Sequence, residues 1–264
     1  MQPWRPDRLP ELRPRQRDIL HAVIREHIVS ARPVASVALV RRYRLDVSSA
    51  TVRNELASLE ELGLLTHPHT SAGRVPTDLG YRYFIESLMP QTDLRPEEQV
   101  TLSHQFRQAP PDAAQWLRLA ASALARVTAE AALATYDRAL DPHEVVWTRE
   151  IHYEGIDQIL GQPEFEVRAR VREVVSLLHD RARLAQVLPE SLVEGDVAVT
   201  IGSEHSLEPL WPFSLVIGRY GRAHGPVGYV GVVGPTRMDY QRTIGAVRYV
   251  GALMSDLVRA LGGA

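Results

Sequence analysis

Two small clusters of polar residues hold the groups best suited to recognising a polyanion. The first is Ser48, Ser49, Thr51, Arg53 and Asn54, in which Asn54 is the chain's only asparagine. A guanidinium can donate two parallel hydrogen bonds to guanine O6 and N7. A carboxamide can pair with adenine in the same way, and hydroxyls reach phosphate or base edges. The second cluster is Thr70, Ser71 and Arg74, where an arginine near a loop tip suits a phosphate or a narrow minor groove. Both sets would also serve an ordinary capped helix and a solvated loop. What they do depends on the elements that carry them.

Those elements are legible. Ile19, Leu20, Val23, Ile24 and Ile28 recur at helical spacing, which predicts an amphipathic helix over about 14–30 that Arg32-Pro33 breaks. Ser36 is a candidate N-cap for a short helix over Val37–Tyr43. After the break at 44–47, Ser48 or Ser49 can cap a third helix with Val52, Leu56, Leu59 and Leu62 on one face, ended by Gly63. Two helices joined by a tight turn, the second opening on hydroxyl residues, are the pattern of a helix-turn-helix. Short strands over 64–66 and 73–75 then make a hairpin, the position of a wing. Thr77 caps a further helix, Asp78–Met89, with Tyr81, Phe84, Ile85 and Leu88 inward.

These residues resemble a known family. Leu12-Arg-Pro-Arg-Gln-Arg-Asp-Ile19, Arg32-Pro-Val-Ala-Ser36, Ser49-Ala-Thr-Val-Arg-Asn-Glu55 and Leu59-Glu-Glu-Leu-Gly-Leu64 are similar to the DNA-binding domain of HrcA, the bacterial heat-inducible transcription repressor. The most specific run is Pro68-His-Thr-Ser-Ala-Gly-Arg-Val-Pro-Thr-Asp-Leu-Gly-Tyr-Arg-Tyr83. The resemblance implies a winged helix that binds an inverted-repeat operator ahead of chaperone operons. It also implies a homodimer, release on heat stress, and a chaperonin that promotes the active form.

Composition narrows the chemistry. The 264 residues contain no cysteine and no lysine, so all 30 basic side chains are arginine. A disulfide framework, a Cys-ligated zinc, a thiol nucleophile, a Schiff-base lysine and a Walker-type phosphate loop are thereby excluded. Residues 1–90 carry 13 Arg against 10 acidic residues, and 91–264 carry 17 against 22. A basic front half on an acidic remainder makes the former the candidate for meeting a polyanion, which the resemblance implies is double-stranded operator DNA. His67 and His69 have no third ligand at useful spacing in the hairpin, so they are expected to face DNA or solvent, with no metal. No stretch nears the roughly 18 apolar residues of a membrane span, and the opening Met1-Gln-Pro-Trp-Arg-Pro has no apolar run. The chain is expected in the cytoplasm, off the membrane.

Pro90 and Arg95-Pro96 bracket a linker, followed by a helix over 97–108 and a break at Ala109-Pro-Pro-Asp112. Residues 113–135 read as one alanine-rich helix with Trp116, Ala120, Leu124, Val127 and Ala131 on its apolar stripe. A strand over 145–153, a helix over 167–184, strands over 197–201, 214–220 and 227–233, and a closing helix follow. The closing helix has Tyr240, Ile244, Val247, Gly251, Met254 and Val258 inward, with Thr236 or Asp239 as its cap. Glycines 228, 231 and 234 lie largely within a strand, which favours close backbone packing over a phosphate loop.

The resemblance continues in Tyr153-Glu-Gly155, Gln162-Pro-Glu-Phe165, Val199-Thr-Ile-Gly202 and Gly231-Val-Val-Gly-Pro-Thr-Arg-Met-Asp-Tyr240, and implies a GAF-like domain. It fails in the middle. HrcA-type chains carry early sheet strands and an inserted dimerisation module where only about a dozen residues, 136–145 and their neighbours, stand here. The expected class is α+β, with a winged helix-turn-helix domain at 1–90, a helical linker or dimerisation region at 91–136, and a GAF-like domain with a shortened middle at 137–264. No cofactor is expected, and no nucleophile–base set supports an enzyme. A small-molecule-sensing regulator that uses the GAF-like domain as a ligand pocket is the alternative.

Overall fold

The computed structural model describes residues 9–43, 46–68, 73–90, 93–139, 147–163, 192–221 and 227–261. Two compact units emerge. The first comprises Met1–Pro90 together with Ile201–Ser206 and Thr236–Met238, and the second comprises Gln91–Thr200, Leu207–Pro235 and Asp239–Ala264.

In the first unit, α1 (Pro14–Ser30) opens on a proline, whose missing N–H costs nothing at a helix start. The Gln16 side chain turns back to accept the Arg13 N–H at 3.1 Å. Ile19, Leu20, Val23 and Ile24 are buried, as their spacing predicts. The α2 helix (Ser36–Tyr43) begins one residue earlier than expected. The Ala35 carbonyl, not a Ser36 hydroxyl, accepts the Leu39 N–H at its start. The α3 helix (Ser49–Glu61) is capped by Ser48, whose Oγ accepts the Thr51 N–H at 3.1 Å, and it is followed by Gly63 at φ +73°. Leu39, Val52, Leu56 and Leu59 form a shared apolar interior with α1, each contributing about 1.5–3 kcal/mol by leaving water. Two polar stitches fasten α1 to α3: Arg13 to Glu55 at 2.9 Å, and Gln16 to Ser58 at 3.0 Å.

Strands β1 (Leu65–Thr66) and β2 (Val75–Pro76) pair antiparallel, Leu65 opposite Pro76 and Thr66 opposite Val75. Pro76 therefore sits within the pair rather than beyond it. Just before β2, Arg74 exchanges both backbone hydrogen bonds with Val34, at 2.8 and 3.0 Å, adding a third short rung to the hairpin. Gly73 lies so near Pro33 that a Cβ would stand 2.7 Å from its carbonyl carbon. Thr77 caps α4 (Asp78–Tyr83) by accepting the Gly80 N–H, and one π turn (Phe84–Leu88) extends the helix. Tyr81 and Phe84 are buried as expected, but so is Arg82, which the helical pattern places on the polar side.

In the second unit, α5 (Pro96–Gln108) and α6 (Ala113–Thr128) precede a five-stranded sheet. The expected single helix over 113–135 is corrected here. Ala129 takes a left-handed conformation at φ +58°, and the chain then runs extended as β3 (Ala131–Ala139). The remaining elements are β4 (Trp147–Glu154), α7 (Ile156–Leu160), β5 (Val197–Ile201), β6 (Phe213–Gly221), β7 (Val227–Pro235) and α8 (Tyr240–Leu261). The strand order is β4-β3-β7-β6-β5, with β3 antiparallel to both β4 and β7, and β6 antiparallel to β7. The expected helix over 167–184 lies outside the described residues.

Side chains alternate across this sheet as a strand's two-residue period requires. Ala131, Leu133, Leu215, Ile217, Tyr229 and Val233 join one apolar cluster with Phe213, Leu210 and Ile159. On the other face α6 and α8 pack against the strands, with Gly251 of α8 over Val230 and Val247 over Gly218. All six residues expected on the inner face of α8 are buried, and Asp239 caps it by accepting the Arg242 N–H at 3.1 Å. The glycines of β7 are there for close approach. A Cβ on Gly228 would collide with the Thr135 carbonyl and the Tyr220 ring, and one on Gly234 with the Glu130 carboxyl.

Candidate nucleic-acid interface

The α3 helix separates its faces cleanly. Val52, Glu55, Leu56 and Leu59 are buried, whereas Arg53 and Asn54 are exposed and Ser49 and Thr51 are partly so. Ser49 and Arg53, four apart, stand one above the other on the outward side. The Ser48 and Thr51 hydroxyls lie 3.0 Å apart, so the helix start presents an ordered pair of oxygens beside an uncapped guanidinium and carboxamide. No described salt bridge engages Arg53. That combination can donate in-plane pairs to base edges while its hydroxyls and N-terminal amides meet phosphate.

Arg74 is placed differently from a side chain that simply extends from a loop. Its Nε lies 2.8 Å from Glu60 Oε2, and its side chain is 25% exposed. Glu60 also pairs with His67 through Oε1, so one carboxylate at the end of α3 joins the residue after β1 to the residue before β2. His67 is exposed, as expected, and its ring also pairs with Glu60. Thr70, Ser71 and His69 lie outside the described residues. Nothing in the spacing flagged Glu60. Glu55 and Gln16, which tie α3 to α1, went unread because their partners are 42 residues away.

The hydrogen bond from His67, seconded by Arg74 and opposed by a desolvation penalty, holds the Glu60 carboxyl below its ordinary range. A carboxylate depressed in the folded state adds stability above its unfolded pKa and loses it as pH falls through the folded value. Acidification below about 4.5 should therefore destabilise the wild-type unit more steeply than a Glu60→Gln variant, by a small amount given the exposure of the pair. Parallel melting curves from pH 6 down to 3, on the order of half-unit steps, would check this; coincident slopes would show that the clasp carries no linkage.

Comparison with known proteins bears on what this face serves. Residues 100–244 match the family described as HrcA protein C terminal domain. The chain is 38% identical to the heat-inducible transcription repressor HrcA of Roseiflexus sp. (strain RS-1), covering 96% of each, and 36% identical to that of Herpetosiphon aurantiacus, covering 96% of this chain and 97% of the relative.

This chain belongs to the HrcA family.

HrcA proteins are transcription repressors, so the chain is a regulator and not an enzyme. The alignment with the Roseiflexus repressor runs over 346 positions although this chain has 264 residues, so the relative carries a long stretch without counterpart here. A crystal structure described only as a hypothetical protein at 2.2 Å resolution shares the fold, with a TM-score of 0.75 at 21% identity, covering 94% of this chain and 98% of that one. No described helix is long and apolar enough to cross a membrane.

Proposed function

We propose that this HrcA-family chain represses chaperone operons by binding an inverted-repeat operator in double-stranded DNA as a cytoplasmic homodimer, and that heat releases it. In this reading residues 1–90 form a winged helix, 91–136 a linker or dimerisation region, and 137–264 a GAF-like regulatory domain with a shortened middle. The observation that carries the reading is the outward face of α3, where Ser49, Arg53 and Asn54 stand opposite a buried face of Val52, Leu56 and Leu59. The α3 helix enters the major groove with Ser48, Ser49, Thr51, Arg53 and Asn54 toward the bases and flanking phosphates. The hairpin, with Thr70, Ser71 and Arg74, follows the backbone or minor groove. A two-fold operator requires a two-fold protein, whose half-site spacing sets the distance between the paired helices. By family resemblance the chaperonin promotes the active form, so its titration by unfolded protein would relieve repression.

The decisive measurement is a mobility shift of the purified chain on an inverted-repeat duplex and on a scrambled duplex of equal composition, at stated salt, before and after heating. Preference for the repeat, lost on heating, supports the reading; equal binding of both duplexes sinks it. Within it, Arg74→Ala is expected to weaken both duplexes alike and to flatten the dependence of log affinity on log salt by about one unit. An unchanged slope would make Arg74 a clasp for Glu60 alone and take it out of the interface.

A further inference from the structure

The first unit is not finished by residue 90. Its α4 helix is held from outside the N-terminal sequence by a single turn, Gly202-Ser-Glu204, that belongs to the same compact unit. Arg82, 6% exposed, donates to Glu204, 4% exposed, through two guanidinium nitrogens, with Nε 2.8 Å from Oε1. Glu204 also accepts the Ile201 N–H at 2.9 Å, so the turn that carries the carboxylate is itself fixed. One turn of α4 earlier, Asp78 Oδ2 accepts both the backbone N–H and the hydroxyl of Ser203, each at 2.8 Å. Gly202 sits at φ +50° with its α-carbon against the Asp78 carboxylate, where any Cβ would collide.

The other end of the same lever is the reading face. The Thr77 hydroxyl donates to the Gly63 carbonyl at 2.6 Å, and the Thr77 N–H to the Leu64 carbonyl at 3.1 Å. Gly80 is pressed onto that same Leu64 carbonyl so closely that it has no room for a Cβ. Residues 63 and 64 are the turn between α3 and β1, and Thr77 directly follows β2. The start of α4 is thus pinned at once to the end of α3 and to both strands of the hairpin. A packed element of this kind has few positions between seated and unseated.

We propose that Gly202-Ser-Glu204 is a positioning element for DNA reading: through Asp78 and Arg82 it seats α4, and α4 sets the end of α3 and the base of the hairpin. Glu204 and Asp78 then govern operator affinity without touching DNA. This rests on the reading of α3 and the hairpin as the DNA-binding face.

The test uses the full chain and a labelled duplex that the wild type enriches from a random library, with a scrambled duplex of the same composition as control. Anisotropy titrations are run in the cold, where circular dichroism confirms that each variant is folded. Glu204→Gln keeps the side-chain shape and removes the charge. It is expected to lower affinity for the enriched duplex on the order of tenfold while affinity for the scrambled duplex, set by exposed arginines, stays within about twofold. A wild-type ratio of the two affinities, accompanied only by a lower melting temperature, would overturn the proposal and leave the turn a mere brace. Should Glu204→Gln fail to fold, Asp78→Ala decides, because it removes both bonds to Ser203 at a partly exposed position. A roughly threefold loss confined to the enriched duplex supports positioning, and no loss defeats it. A wild type that enriches no duplex would bring down the DNA-reading proposal itself, and this one with it.

Discussion

Arg82→Met in an otherwise unchanged chain is expected to lower the stability of the first unit by about 3–5 kcal/mol. The cost is not the loss of an attraction, since two charges taken out of water recover little by meeting. It comes from what remains: the Glu204 carboxylate at 4% exposure, with the Ile201 N–H still donating to it but no cation beside it. Glu86, 3.6 Å from Arg82 and about half exposed, simply turns to water. The double variant Arg82→Met/Glu204→Met should recover most of the loss, because a methionine pair of similar volume leaves no buried charge. Urea denaturation of the four chains of this cycle measures the coupling. A double variant as unstable as the sum of the singles would show that shape at this site matters more than charge.

Arg53→Ala is expected to cost about 1–3 kcal/mol on the enriched duplex, a loss of roughly five- to 150-fold, and to relax the preference at one base position. Stability should hardly change, because Arg53 lies on the exposed side of α3 and no described ion pair engages it. The two effects together separate a base contact from a structural residue. Binding that weakens equally on the scrambled duplex would reassign Arg53 to a phosphate, and unchanged binding would remove the outward face of α3 from the interface.

The N-terminal elements could be read from sequence because each carries its own punctuation. Pro14 opens α1, Ser48 caps α3, Gly63 ends it and Thr77 restarts the chain, so local chemistry and the final structure coincide. The boundary between α6 and β3 carries none. The turn is made by Ala129, a residue with no special liking for positive φ, and the strand beyond it opens Ala-Ala-Leu-Ala, which by propensity continues a helix. Its place between β4 and β7 overrides that preference, and small side chains there leave α6 room to lie against the sheet. Contacts across long separations were equally silent. Arg82 looks like an ordinary polar-face arginine until Glu204, 122 residues on, is brought to it. The Glu60 clasp hides for another reason: His67 and Arg74 are near in sequence, but nothing in the spacing says that a helix end and the two ends of the hairpin loop share one carboxylate.

The discontinuity of the first unit has a consequence for the time at which the protein becomes functional. Residues 1–90 leave the ribosome before Gly202-Ser-Glu204 and Thr236–Met238, which complete the same unit. At about 5–20 residues per second, the stretch from Pro90 to Met238 takes roughly 7 to 30 seconds, during which a nascent chain carries an unfinished N-terminal unit. A message broken or stalled before Glu204 yields a chain whose α4 helix lacks Gly202-Ser-Glu204. If the proposed function holds, only polypeptides synthesised past this turn would compete for operators.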